Sequence, residues 1–228
     1  MGRIARVVAA KYPHHVTQRG NRRQDTFFCE DDYRYYIETM SEWCNKCGVG
    51  IWAYCLMPNH VQLIAVPETE EGLRQAIGET HRRYTRRINF REKWKGHLWQ
   101  GRFSSYVMDE QYLLAAARYM ELNPVKARLV KRPGQYQWSS AKAHLTAKDD
   151  ELVRVKPLLK LIDDWDEFLS SGYTKEDELL IHRHEQTGRP LGNIHFIKRL
   201  ERKLERLSVP GKGGRPRKNN NQYAVRTQ

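Results

Sequence analysis

The sequence has no run of 18 or more apolar residues, so nothing in it is long enough to cross a bilayer as a helix. Its first residues, M-G-R-I-A-R-V-V-A-A, start basic, but the apolar stretch is short and interrupted by Arg6, and no signal peptide is expected. Cysteine is sparse. Four residues in 228, Cys29, Cys44, Cys47 and Cys55, do not make a disulfide framework, and reduced, cytosolic thiols are the expectation. Cys44 and Cys47 have the spacing of half a zinc site, with no second pair to complete it. There is no internal repeat. Acidic residues are outnumbered, with 27 Asp and Glu against 40 Lys and Arg, for a net charge of +13. The surplus is clustered, which points to a polyanionic partner, nucleic acid first, more than to solubility alone.

What is present suffices for a packed core. Hydrophobic residues make up 39% of the chain, with six Trp and twelve Tyr, which excludes global disorder. Residues 13–19 alternate as a strand, followed by the polar loop G-N-R-R-Q-D. Asp31 or Asp32 can cap a helix running to about residue 47, with Tyr33, Tyr36, Ile37, Met40 and Cys44 as its buried stripe and Gly48 as its end. Residues 49–56 read as a strand, M-P-N as a turn and residues 60–66 as the antiparallel partner. A second helix spans about 70–90, with Leu73, Ile77, Tyr84 and Ile88 at helical spacing. An irregular aromatic segment, K-W-K-G-H-L-W-Q-G-R-F, leads to a strand near 102–108. Asp109 then caps a third helix that is expected to end at Asn123, because proline disfavours helical geometry in the residue before it.

Strand, helix, strand, strand, helix, strand is the order of a ferredoxin-like α+β fold, an antiparallel sheet with helices on one face. The third helix is an appendage to it, and a helical C-terminal extension follows. The expected divisions are a core domain over 1–145, the extension over 146–208 and a flexible basic tail over 209–228. Residues 194–207 pattern as a short basic amphipathic helix. Between Lys198 and Lys218 nine Lys or Arg stand against two Glu.

His60 and Gln62 are i and i+2 on one strand, so both side chains leave the same face, roughly 7 Å apart at the backbone. An imidazole nitrogen and an amide oxygen together suit a divalent metal, with the oxygen shifting preference toward Mg²⁺ or Mn²⁺. The same pair also reads as a buried histidine with a hydrogen-bonding partner. On the third helix, Leu113, Ala116, Ala117 and Met120 form the core stripe. Tyr119 flanks it, and Asn123 lies one turn later on the same side. Taken singly, Tyr119 reads first as an aromatic packed on the sheet and Asn123 as a helix stop before proline; brought together beside the strand, they would supply a nucleophile and a ligand. His14 and His15 are expected to be structural.

The strand M-P-N-H-V-Q-L-I, the segment W-Q-G-R-F and the helix R-Y-M-E-L-N-P-V-K resemble the single-tyrosine HUH transposases, and among them the bacterial REP-associated tyrosine transposases. The resemblance runs from about Ala9 to Ala141 and implies a nuclease domain of the fold already reached. It implies that His60 matches the first histidine of the family's His-hydrophobic-His metal pair, with Gln62 in place of the second. Tyr119 matches the nucleophile and Asn123 the third ligand. Related HUH replication nucleases tolerate glutamine at this position. The activity implied is cleavage and joining of single-stranded, hairpin-containing DNA through a covalent 5′-phosphotyrosine, dependent on Mg²⁺ or Mn²⁺, in the cytoplasm of a bacterium at the nucleoid. The rival reading is a domesticated, non-cleaving DNA-binding protein of the same fold. Monomer and homodimer both stay open.

Candidate DNA contacts are Arg82, Arg83, Arg86 and Arg87 on the second helix, near Trp94 and Trp99, which pair charge with stacking surface as single strands require. Arg19, Arg22 and Arg23 after the first strand, Arg102, and Lys126 past the third helix add further cations. In the tail, Arg215 and Arg217 of G-G-R-P-R-K suit an A·T minor groove or unspecific anchoring.

Overall fold

The computed structural model describes residues 7–205, so the tail with Arg215 and Arg217 lies outside the described residues. The chain runs β1 (His14–Arg19), α1 (Glu30–Lys46), β2 (Val49–Met57), β3 (His60–Pro67), α2 (Gly72–Glu92), β4 (Ser104–Val107) and α3 (Glu110–Lys126). The strands form one antiparallel sheet in the order β2-β3-β1-β4, the ferredoxin-like arrangement expected from the element order. Beyond α3 follow α4 (Ala141–Leu145), α5 (Lys156–Leu159), α6 (Trp165–Ser170), α7 (Lys175–Thr187) and α8 (Ile194–Leu204). No described helix is long and apolar enough to cross a membrane.

Alternation along the strands divides the sheet into two faces. Val16, Val61, Leu63 and Ala65 point to the side of α1 and α2 and are fully buried with Tyr36, Met40, Ile77 and Tyr84. The opposite side carries Ala53, Cys55, Ile64 and Tyr106, buried against Leu113, Ala116, Ala117 and Met120 of α3 and Trp165 and Phe168 of α6. The third helix is therefore the cover of the sheet's second face, where the sequence had suggested an appendage. A strand that alternates large apolar residues toward both sides needs a layer on each.

Local differences from the sequence expectations have physical reasons. Cys29, not an aspartate, occupies the N-cap of α1, while the Asp32 carboxylate turns back to accept the Phe28 amide at 2.9 Å and to pair with Arg91. Burial pushes the Asp32 carboxyl up, but the arginine and the amide outweigh it and hold the group below the usual carboxylate range. Asp109 does cap α3, accepting from Tyr112 N at 3.1 Å. That helix does not stop at Asn123 but passes through Pro124 to Lys126. Proline there forfeits one intrahelical bond in the last turn, and the ring is buried. Trp99 is 6% exposed and packs in the α1–α2 core beside His81, so it offers no stacking surface.

Both outer strands are flanked by the rest of the chain. Ser140 N donates to Tyr54 O, Leu56 N donates to Trp138 O, and Arg154 N donates to Ile51 O, all along β2. On the other side Leu191 N donates to Val107 O at 2.8 Å and Leu191 O accepts from Asp109 N at 3.0 Å. The Leu191 contact fixes the segment that follows α7, whose last turn gives way at Gly188 in the left-handed region (φ 67°). Ser104 Oγ adds a hydrogen bond to Glu185 O. Helix α7 is thereby held against the face that bears His60.

Candidate active site

Register places a polar strip in the middle of an otherwise apolar layer. Arg19 lies opposite His60, Thr17 opposite Gln62, and His15 opposite both Ile64 and Tyr106. Opposed residues of an antiparallel pair share a face, so Arg19, Thr17, His15, His60 and Gln62 all point toward α3 and α7.

His60 sits at the first position of β3, just past the Pro58–Asn59 turn. Its Nδ1 lies 2.7 Å from Asn59 Oδ1. An amide oxygen only accepts, so Nδ1 carries the proton and Nε2 keeps its lone pair. That free nitrogen faces the Gln62 amide at 3.1 Å and the Asn123 amide at 3.5 Å. Burial, with the Arg19 charge behind it, pulls the imidazole down to about 4, so the ring is neutral across the physiological range. Asn59 thus sets the tautomer, a role sequence reasoning did not assign although the residue stood next to His60 in the turn.

The three side chains can be tested as a cation site. Gln62 is 2% exposed, and its Oε1 is buried with no hydrogen-bonding partner. Rotating the terminal torsions of Gln62 and Asn123 by half a turn puts an amide oxygen of each where its nitrogen now faces His60 Nε2. An imidazole and two neutral amides fit a hard divalent ion that brings its own waters or takes phosphate oxygens. Among the described residues no cluster of three His, Cys, Asp or Glu forms a metal site.

Tyr119 projects from α3 one turn before Asn123 and is 5% exposed. Its ring meets Tyr173 edge-on at 5.2 Å and His182 at 5.8 Å, and its hydroxyl lies 3.4 Å from His182 Nε2. Burial first, then the Glu185 carboxylate, pushes the phenol well above its ordinary value. Tyr119 and His60 sense the same two charges, Glu185 and Arg19, which puts them in one electrostatic compartment. His15 is fully buried, and neither ring nitrogen has a hydrogen-bonding partner; Glu185 Oε1 stands 3.8 Å from Nδ1. His14, by contrast, donates from Nδ1 to Tyr12 O at 2.7 Å and accepts from Ala9 N at 3.1 Å, a structural brace.

The expected DNA contacts are not gathered at this site. Arg82, Arg83, Arg86 and Arg87 are exposed on α2, across the sheet from His60. Arg82 pairs with Glu79, Arg83 lies over Trp43 and Arg87 over Tyr35. Arg82 and Arg102, with Arg74 and His97, line a basic hollow of about 460 Å³. Among the described members of the set, Arg19 lies opposite His60, and Lys126 lies at the α7 side of the Tyr119 ring. Arg22 and Arg23 are exposed in the loop that follows, both with positive φ, and Arg23 O accepts from Asn59 Nδ2 at 3.4 Å. Gly20 makes that loop possible, since a Cβ there would stand 2.2 Å from the Gln24 carbonyl oxygen. Lys126 pairs with Glu178 of α7 and lies over Tyr173.

Sequence reasoning did not find α7, nor its His182 and Glu185. The signal was present in T-K-E-D, a capping box in which Thr174 Oγ1 accepts from Asp177 N at 3.0 Å.

Residues 8–123 match the family model described as IS200-like transposase. A search of curated proteins found no match. A solved structure described as a REP-associated tyrosine transposase bound to a REP hairpin is 18% identical, covers 68% of this chain and 93% of its own, and superposes with a TM-score of 0.52. At that identity the likeness speaks for the fold. A Deinococcus radiodurans structure named as a transposase is also 18% identical, over 53% of this chain and 96% of its own, with a TM-score of 0.36.

Proposed function

Because this chain belongs to the IS200-like transposase family and so acts on DNA, we propose that it cuts and rejoins single-stranded, hairpin-containing DNA of the REP type through a covalent 5′-phosphotyrosine on Tyr119. His60, Gln62 and Asn123 would hold the Mg²⁺ or Mn²⁺ that binds the scissile phosphate and offsets its developing charge. The observation that carries this reading is the meeting of β3 and α3: Asn123 reaches His60 Nε2 at 3.5 Å, one turn beyond the Tyr119 phenol. The neutral state of His60 leaves the Nε2 lone pair available to ligate a cation, and Asn59 keeps the ring oriented. Arg19, opposite His60 at the end of β1, supplies a fixed cation beside the phosphate path. Phosphotyrosine retains a phosphodiester bond, so rejoining needs no nucleotide cofactor.

The test is direct. The full chain is incubated with labelled stem-loop oligonucleotides carrying randomised single-stranded flanks, in Mn²⁺, and then denatured. A DNA adduct that survives denaturation, maps to the Tyr119 peptide and is suppressed by chelation is expected. No adduct under any condition would return the protein to a DNA-binding role, and a chelator-insensitive adduct would remove the metal.

Gln62→His bears on the ligand set separately. It should preserve or raise adduct yield and widen the usable metals toward softer ions, because a second imidazole replaces an amide oxygen. A collapse of yield across a series of Mg²⁺, Mn²⁺ and Zn²⁺, with an unchanged circular dichroism spectrum, would argue against residue 62 as a ligand.

A further inference from the structure

The phenol of Tyr119 has a partner that the family match does not reach. Helix α7 lies beyond residue 123, where that match ends, yet it delivers His182 Nε2 to 3.4 Å from the Tyr119 hydroxyl. The same ring's Nδ1 lies 3.1 Å from Glu185 Oε2, one turn along the helix. A carboxylate accepts, so Nδ1 carries the proton and the Nε2 lone pair faces the phenolic hydrogen. Hydroxyl, imidazole and carboxylate in line are the arrangement of a nucleophile, its base and the group that orients the base. We infer that His182 is the general base that deprotonates Tyr119 as it attacks DNA, and that Glu185 orients and polarises it. This rests on Tyr119 being the nucleophile.

The need for such a base follows from the burial of the phenol. A phenol in water is already ~99.9% protonated at neutral pH, and here burial and the Glu185 charge raise its value further. Tyr119 cannot reach phosphorus as a preformed phenolate, so its proton must leave during attack. As Oη bonds to phosphorus and the P–O3′ bond breaks, the phenolic proton passes to His182 Nε2 and the released 3′-oxygen takes one from solvent. In joining, a 3′-OH attacks phosphorus, the P–Oη bond breaks, its proton goes to solvent and His182 returns its own to Tyr119. The cycle closes with no oxidant, reductant or further co-reactant. Glu178 Oε1, 3.6 Å from Nε2, is placed to stabilise the imidazolium formed midway.

The groups around His182 decide the pH dependence. Glu185 and Glu178 face it from its own helix and Tyr119 from α3, His15 and His60 on the sheet feel its charge, and Lys126, Tyr173 and Arg19 stand behind Glu178, Tyr119 and Glu185. The Glu185 hydrogen bond and the carboxylate charges prevail over burial and raise the imidazole above its ordinary value. Only its neutral form accepts the proton, so the rate of adduct formation should fall as pH drops through that value.

His182 has 40% of its side chain exposed, so replacing it should leave the fold intact. With the stem-loop pool in Mn²⁺, His182→Gln should slow adduct formation by about 10²- to 10⁴-fold, leave DNA affinity unchanged and lose the acid limb of the rate profile. Added imidazole should restore part of the rate to His182→Ala. Glu185→Gln, which keeps a hydrogen bond but removes the charge, should move the acid limb to lower pH. If His182→Gln forms adduct at the wild-type rate with the limb in place, or forms it faster, α7 is only a cover and the inference falls. An adduct that persists in Tyr119→Phe would instead remove the nucleophile assignment beneath it.

Discussion

Tyr119→Phe should abolish the covalent DNA adduct while leaving affinity for stem-loop DNA within about twofold and the unfolding midpoint nearly unchanged. The substitution removes one oxygen from a ring whose body stays packed against Tyr173 and the helix it comes from. The hydroxyl makes a single long contact, to His182, so little stability is lost with it. Chemistry is another matter, because Tyr119 carries the hydroxyl that meets His182 Nε2, one turn before Asn123. Tyr106 lies on the same face, but its hydroxyl is buried without a partner and its ring packs edge-on against His15. Electrophoresis after denaturation gives the adduct, and filter binding gives the affinity. An adduct undiminished in the Phe variant would move the nucleophile elsewhere and dissolve the proposed site.

The second large effect is on stability and concerns Glu121, two residues along the same helix. Its side chain is fully buried, with Oε1 accepting from Ser140 Oγ at 2.6 Å and lying 2.7 Å from His144 Nδ1. Oε2 accepts from Trp165 Nε1 at 2.8 Å. One carboxylate therefore joins α3 to α4 and to α6, holding the extension on the sheet. Glu121→Ala leaves His144 Nδ1 and Trp165 Nε1 buried without a partner, while Ser140 Oγ keeps Tyr54, and opens a void between the helices; it should cost about 3–5 kcal/mol. For a domain this size that corresponds to a fall of roughly 10 °C in the unfolding midpoint. Glu121→Gln keeps an acceptor for the indole and should cost about half as much. A loss under about 1 kcal/mol in urea unfolding of Glu121→Ala would show that water satisfies the network without it.

Most of the fold was legible because its signals are short-range. The stripes Tyr33-Tyr36-Ile37-Met40-Cys44 and Leu73-Ile77-Tyr84-Ile88 are buried as their spacing requires. The β2–β3 hairpin follows from its apolar runs around M-P-N. His60, Gln62 and Asn123 were recognisable as polar residues set in apolar patterns, a conflict that often marks a working site. Residues whose environment is made at a distance were not legible. Trp99 looked like an exposed aromatic in a loop, and only the closure of β1 by Gly20 and the packing of His81 bury it. The arginines of α2 read as one basic surface, but Trp43 and Tyr35, 40 and 52 residues before the arginines they meet, lie beneath two of them. His182 and Glu185 acquire meaning only through Tyr119, 63 residues upstream of the histidine. No periodicity carries that information.

The flanking of both outer strands has a consequence for how this protein meets copies of itself. An open sheet invites another chain to continue its hydrogen-bond pattern, the route to fused sheets and to fibrils. Here the backbone of β2 is engaged by residues 138, 140 and 154, and β4 by residue 191. Any self-association is therefore left to side chains on the helical layers, where charge makes it sensitive to ionic strength.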